Sequence, residues 1–200
     1  MNLQTRACEQ FGISRPIFGF SHSVAVTAAI TNAGGLGVWG ATHHEPGNIG
    51  AQIAEIRRLV GDKPFGVDVL LPQSVGTDTD RAAAHAKLPQ AHKDFVAGLM
   101  KKYDIPKPTK PSFFADNIRS QQLFREQVDA VLASDTPVFA AALGVPAEII
   151  ALARESGKKT IALVGAPRHA EKALAVGVDL LVAQGHDAGA HTGKIGTFSL

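Results

Sequence analysis

Short apolar runs alternate with helix-like segments along most of this 200-residue chain. An almost uninterrupted apolar run is typical of a strand buried on both faces, and such strands occur mainly in parallel sheets covered by helices. The alternation therefore predicts an α/β fold with a parallel sheet. The predicted strands are Pro16–Phe20, Leu36–Trp39, Phe65–Leu71, Val138–Leu143, Thr160–Val164 and Asp179–Ala183.

Helix signals fill the segments between these strands. Residues Val24–Ile30 form an apolar helical stretch that ends at Asn32–Gly35, where glycine can adopt the left-handed conformation that closes a helix. Pro46 starts a helix with apolar residues on one face, and Gly61–Pro64 ends it. The later predicted helices are Pro146–Ser156 and Pro167–Val176.

The regular alternation breaks after the third strand, because one strand–helix unit does not need so many residues. We predict a helical insertion at about residues 72–135 within a single partial domain that covers residues 1–200. Helices are expected around Ala91–Tyr103 and Asn117–Ala133. The proline-rich basic segment Lys101–Lys110 is typical of a solvated loop, with a binding role for its lysines as the alternative.

Two architectures compete, an open doubly wound sheet and a closed (β/α)8 TIM barrel. No G-x-G-x-x-G fingerprint follows the first strand, which argues against the open sheet. Polar or glycine-rich loops follow three strands, at Ser21–Ser23, Thr42–His44 and Gln184–Gly196, and barrel enzymes carry their chemistry at these strand ends. A complete barrel has eight strands and typically ~250 residues. We therefore predict a (β/α)8 TIM barrel that is incomplete in this chain, with about six βα units.

Composition and charge exclude several classes of function. The 20 Lys and Arg residues nearly balance the 18 Asp and Glu residues, so no nucleic-acid partner is expected. No apolar run reaches the ~18 residues of a membrane span, so no membrane partner is expected either. The single cysteine, Cys8, cannot form an internal disulfide, which predicts a cytoplasmic protein. No metal site is expected, because five histidines lack ligand spacing with cysteines or carboxylates: His43, His44, His85, His92 and His169.

The glycine-rich segment Val182–Gly193 follows the last predicted strand. Glycines let backbone N–H groups approach an anion or a planar ring closely. In a barrel, this loop would place the Gln184 amide and the imidazoles of His186 and His191 at the mouth. The residues alone also fit a loop that needs glycines for its turns and carries solvated histidines.

The segments Asn32–Gly37, Lys63–Asp68 and Ala183–Gly193 occur in an order and spacing shared by one family. Together they resemble the signature segments of nitronate monooxygenases, formerly called 2-nitropropane dioxygenases, and the resemblance extends from about Phe11 to the last residue. These enzymes are FMN-dependent barrels that oxidise alkyl nitronates or nitroalkanes with O2. The resemblance implies FMN, a small-molecule substrate and O2 for this chain, and a chain that is truncated after the sixth βα unit.

The resemblance also implies which residues contact FMN. In the family, the loop after the first strand lies against the flavin through its backbone, and it usually reads Gln-Ala-Pro-Met, so His22 is a departure. Asp68 stands where an asparagine commonly hydrogen-bonds the flavin. An ionised aspartate can accept but cannot donate, so that contact must differ or Asp68 must pair elsewhere. The implied FMN-binding residues are Gly19, Phe20, Ser21, His22, Asp68, Gln184 and Gly189.

His191 matches the family's catalytic histidine. A nitroalkane has an acidic C–H beside the nitro group, and an imidazole, which titrates near neutral pH, is suited to removing that proton. When the substrate is already a nitronate, the histidine would orient the anion instead. Ala140–Pro146 also departs from many relatives, which carry a histidine or serine after this strand, and this implies a wider and more apolar pocket.

Two alternatives stay open at this point. A flavin-dependent enoyl-acyl-carrier-protein reductase shares the Asn32–Gly37 segment and uses NAD(P)H, whereas a non-catalytic dimerising scaffold would need no flavin. In flavin barrels, the loops after strands seven and eight hold the FMN phosphate. Neither strand is in this sequence, so we expect weak FMN binding and a possible homo-oligomer formed through uncovered strand edges.

Overall fold

The computed structural model describes residues 3–72, 81–107, 109, 113, 119–189 and 191–200. The chain forms two compact units. The larger unit comprises Met1–Ser74 and Phe124–Leu200, and the smaller unit comprises Val75–Leu123. Parts of the predicted insertion, including positions 108 and 110 of its basic segment, lie outside the described residues.

A six-stranded parallel sheet forms the centre of the larger unit. Its strands are adjacent in chain order from β1 to β6, as in a barrel, and the sheet curls into half of a (β/α)8 barrel. This confirms the predicted incomplete TIM barrel, and each strand end lies within two residues of its predicted position. The strands are β1 (Phe18–Ser21), β2 (Leu36–Gly40), β3 (Gly66–Leu70), β4 (Val138–Ala142), β5 (Lys159–Val164) and β6 (Leu180–Ala183).

Helices connect the strands, and the predicted ones begin and end within four residues of their expected positions. Two short helices, α1 and α4, were not apparent from the sequence pattern. The helices are α1 (Arg6–Phe11), α2 (Val24–Asn32), α3 (Pro46–Val60), α4 (Arg81–Ala86), α5 (Gln90–Lys102), α6 (Gln121–Leu132), α7 (Ala147–Glu155) and α8 (Pro167–Ala175), with 3₁₀ turns at Ala41–His43 and Thr197–Ser199. Within the described part of the chain, no helix is long and apolar enough to span a membrane.

The two faces of the sheet are buried in different ways, because side chains alternate between the faces along each strand. One face packs against helices, and its core includes Val67, Val69 and Phe139. The opposite, concave face carries Val38 and Ala140 together with other apolar side chains. In a barrel, this concave face is the interior.

Helix α1 covers the amino-terminal end of the concave face. Its buried residues Cys8 and Phe11 join the apolar cluster of that face. The Phe11 ring packs edge-on against Phe18, the first residue of β1, with ring centroids 5.5 Å apart. The carboxyl-terminal end of the sheet is therefore the end where functional loops are expected.

Local signals in the sequence set the position of α2 beside the sheet. Ser23 caps the helix, because its Oγ accepts a hydrogen bond from the Val26 amide at 3.4 Å. Gly34 has φ of 95°, a left-handed conformation that turns the chain back toward β2. A Cβ at Gly37 would overlap the Thr27 carbonyl, so glycine allows the close packing of α2 on β2.

Candidate active site

The carboxyl ends of β1 and β2 bring His22 over Gly40. The His22 Nδ1 atom lies 3.2 Å from the Gly40 carbonyl oxygen, and the His22 carbonyl accepts a hydrogen bond from Trp39 Nε1 at 3.2 Å. Since a carbonyl can only accept, this contact places the proton of a neutral His22 on Nδ1. A Cβ at Gly40 would lie 2.6 Å from that nitrogen, so this position needs a glycine.

Aromatic rings surround His22. His43 stacks on it with ring centroids 3.9 Å apart and an angle of 13° between the planes. Phe20 meets it edge-on at 5.0 Å, and the Phe20 side chain is itself 56% exposed. The sequence shows only that His43 lacks metal-ligand spacing, and this stack could not be predicted from it.

His44 completes a group that we call the histidine cluster: His22, His43 and His44. The half-buried His44 ring lies 4.9 Å from the Trp39 ring, and burial, assisted by the nearby His22, lowers the pKa of His44. Among the described residues, no group of three or more His, Cys, Asp and Glu side chains is arranged to hold a metal ion.

Gly19 and Ser21, two of the predicted flavin contacts, have local structural roles. A Cβ at Gly19 would lie 2.6 Å from Ile30 Cδ1, so glycine lets the Ile30 side chain of α2 pack closely against β1. The Ser21 Oγ accepts a hydrogen bond from the Ser23 amide at 3.0 Å, which shapes the turn into α2. Their backbone contact with a flavin stays a prediction.

Asp68 is a buried acid in the middle of β3, only 4% exposed. Its register neighbours are Gly40 on β2 and Ala140 on β4, and it faces the concave side because Val67 and Val69 face the helices. Its Oδ1 atom has no hydrogen-bond partner among the described residues. Burial raises the pKa of Asp68 to about 8. At pH 7 the buried carboxyl is therefore mainly protonated, and in this form it can donate a hydrogen bond.

Gln184 directly follows β6, and both its main-chain amide and its side-chain amide donate to backbone carbonyls. Its amide N–H donates to the Val164 carbonyl at 2.9 Å, which extends the sheet pairing by one residue. Its side-chain Nε2 donates to the Gly189 carbonyl at 3.1 Å. A Cβ at Gly189 would meet nothing within 4 Å, so packing within the described residues does not explain this glycine.

The loop after β6 is closed by a pair that the sequence analysis missed, Asp187 and Thr197. Asp187 Oδ1 accepts hydrogen bonds from the Thr197 amide at 2.7 Å and from its hydroxyl at 3.0 Å, and His186 Nδ1 lies 3.3 Å away. The hydrogen bond from the Thr197 amide is the main reason that the pKa of Asp187 is lowered to about 2. An aspartate among glycines is a turn signal, but the sequence does not show which residue it bonds.

His191 lies in this closed loop and is exposed. The loop spans Gln184 to Thr197, and Ala190 lies outside the described residues. The structure thus brings His22 next to Gly40 and Gln184 next to Gly189, and it places His191 on a loop at the carboxyl end of β6. Taken together, the sheet order and these strand-end groups define half of a (β/α)8 barrel with its candidate site at the usual end.

Comparison with known proteins identifies the family. The nitronate monooxygenase family model matches residues 3–200, and the chain belongs to this family. A Mycobacterium tuberculosis (strain ATCC 25618 / H37Rv) protein named "Putative monooxygenase Rv1533" is 37% identical over 99% of this chain and 55% of its own length. A nitronate monooxygenase of Paraburkholderia phytofirmans is 31% identical over 94% of this chain and 51% of its own length.

A solved structure agrees with this assignment. The nitroalkane oxidase of Streptomyces ansochromogenes superposes with a TM-score of 0.70 at 27% identity, covering 94% of this chain and 51% of that protein. The chain spans about half the length of the relatives that it matches.

Proposed function

We propose that the protein is an FMN-dependent oxidoreductase that oxidises alkyl nitronates or nitroalkanes with O2. The observation that carries this proposal is the buried, unpartnered Asp68 oxygen on the concave face of a sheet from the nitronate monooxygenase family. Buried polar groups are almost always hydrogen-bonded, so an orphaned one in the interior of a barrel points to a ligand. Redox chemistry of a bound flavin would carry electrons from the substrate to O2.

The residues that are present fit a flat heteroaromatic ring. Asp68 offers a hydrogen-bonding group on the concave face between Ala140 and Gly40, and the His22 ring lies over Gly40. Gly189 offers backbone with open space beside it, and Phe20 offers an exposed ring. We assign the ring contacts to these residues, to Gln184 and to the backbone of residues 19–22.

His191 is assigned the proton transfer. His191 lies exposed on the loop after β6, and we assign to its ring nitrogen the removal of the proton from the carbon that bears the nitro group. The Asp187–Thr197 hydrogen bonds hold the loop that carries it. With a nitronate as substrate, that proton is already absent, and the imidazole only orients the anion.

The test compares His191→Ala with the wild type on a neutral nitroalkane and on its nitronate. Loss of a general base lowers the turnover of the nitroalkane by about 10²–10⁴-fold, whereas the turnover of the nitronate changes little. Flavin content, read from the absorbance near ~450 nm, stays the same. His92→Ala is the matched control, because His92 is exposed on α5.

Three other results would contradict the proposal. Equal losses with both substrates would show that His191 binds or orients and does not remove the proton. Oxidation of NADH driven by an enoyl thioester, without nitronate turnover, would identify the reductase alternative. A colourless protein at every FMN concentration would identify the scaffold alternative.

A further inference from the structure

Asp68 carries chemistry that an asparagine at this position would lack. We propose that Asp68 contacts the flavin as a protonated carboxylic acid that donates a hydrogen bond, so that FMN affinity is lost when this carboxyl ionises. The inference rests on the proposed function, and it adds that the Asp68 carboxyl carries a proton when FMN is bound. The acceptor would be a carbonyl oxygen or an unprotonated ring nitrogen of the flavin pyrimidine.

The surroundings of Asp68 favour the neutral acid. Gly40 and Ala140, its register neighbours, have no side-chain donor or charge. The apolar core of the concave face includes Val38, Val138 and Ile161. An ionised carboxylate without a donor or a counter-charge is costly in such a place, so the group retains its proton.

The nearest strands contribute no competing ionisable group. The described residues of β2 and β4 include no acidic or basic side chain, and Asp68 is the sole such residue of β3. The histidine cluster follows β1 and β2, and His22 lies over Gly40 beside Asp68. Burial alone accounts for the raised pKa of Asp68, with no contribution from a histidine charge.

A flat ring laid against Asp68 would supply an acceptor for its O–H. This contact favours the protonated form, so flavin binding and proton binding support each other. A carboxylate facing a flavin carbonyl would instead bring two acceptors together. An asparagine amide donates at every pH. Asp68→Asn therefore keeps a hydrogen-bond donor at this position but removes the proton that titrates.

The experiment is a titration of FMN into the wild-type chain, Asp68→Asn and Asp62→Asn between about pH 6.5 and 9.5, followed by flavin fluorescence. Asp62 lies on the surface, so Asp62→Asn makes the same substitution away from the site. The Kd of the wild type and of Asp62→Asn should rise about tenfold for each pH unit above the pKa of Asp68. The Kd of Asp68→Asn should stay nearly constant, and ionisation of FMN itself affects all three proteins equally.

Parallel pH profiles for the wild type and Asp68→Asn would overturn the inference while leaving the flavin site intact. Failure of all three proteins to bind FMN at about pH 6.5 would overturn the proposed function and this inference with it. Infrared spectroscopy provides a second readout without flavin. The wild type at pH 7 should show the C=O band of a protonated carboxyl, and Asp68→Asn should lack it; absence of the band from the wild type would also refute the inference.

Discussion

Two regions of the candidate site differ in how their polar groups are satisfied. The strand wall, formed by β1 to β3, holds a buried carboxyl whose Oδ1 has no partner among the described residues. The loop after β6 is more exposed, yet Gln184 and Asp187 are both hydrogen-bonded within it. The wall therefore keeps hydrogen-bonding capacity for a ligand, whereas the loop uses its own capacity to hold the shape that presents His191.

This difference suits the wall to hydrogen-bonding a ligand and the loop to holding His191 in position. A buried, unpaired group on a strand cannot move away to find water, so it is ready for a ligand at a cost in stability. A loop with internal hydrogen bonds loses little when no ligand is bound. Substitutions in the wall should therefore alter affinity and stability, and those in the loop should alter local order.

The largest expected effect concerns a third part of the proposed site, the anchor for the FMN phosphate. Joining the later βα units of a family relative after Leu200 should strengthen FMN binding by roughly 1000-fold, about 4 kcal/mol, because those units supply the phosphate-binding loops of a barrel. The chimaera should also be monodisperse, whereas the 200-residue chain should self-associate through β1 and β6, the end strands of the described sheet. Fluorescence titration and sedimentation measure the two effects.

One result would contradict the prediction about the phosphate anchor. If the 200-residue chain is a monomer that retains stoichiometric FMN through gel filtration, phosphate anchoring by later units is wrong. The loop from Gly185 to Gly196 would then be the candidate anchor.

The next effect tests the cost of the unpaired group in the wall. Between the usual pKa of an aspartate, 3.8, and the value of about 8 in the folded protein, Asp68 is ionised in the unfolded chain and protonated in the folded one. The unfolded state then binds fewer protons, so the free energy of unfolding falls as pH rises through this window and levels off above it. Asp68→Asn should remove this slope and gain a few kcal/mol at pH 8, because each pKa unit of difference corresponds to roughly 1.4 kcal/mol.

Urea denaturation at about pH 5 and pH 8 measures this gain. Asp62→Asn serves again as the control and should keep the wild-type slope. If the difference in free energy of unfolding between the wild type and Asp68→Asn is the same at pH 5 and pH 8, the carboxyl is hydrated in the folded state.

The sequence predicts the sheet well because the signal is local. The run Val138–Ala142 is apolar on both faces, which is typical of a strand in a parallel sheet that is covered on both sides. Helix α1 escapes prediction for the opposite reason. It has six residues, half of them polar, and its buried Cys8 and Phe11 gain their environment only from the concave face of the folded sheet.

The candidate site also has features that local sequence predicts and features that it does not. Its location at the strand ends can be predicted from the glycine-rich loop after β6. The stacking of His22 on His43 cannot, because these residues are far apart in sequence and meet through the parallel register of β1 and β2. The protonation of Asp68 depends on burial by neighbouring strands, which a sequence pattern does not measure.

The smallest expected effect tests the loop. Asp187→Ala removes the acceptor for the Thr197 amide, so hydrogen exchange at that amide should accelerate about tenfold while global unfolding is unchanged, as expected for local opening. The lowered pKa of Asp187 fixes the pH dependence: the loop contact is present above about pH 4 and is lost as pH falls toward 2, where the folded carboxylate becomes protonated. Thr197→Val, which keeps the amide and removes the hydroxyl donor, should show a smaller acceleration. If Asp187→Ala instead lowers global stability as much as a core substitution, the loop is part of the cooperative fold, and the contrast between wall and loop fails.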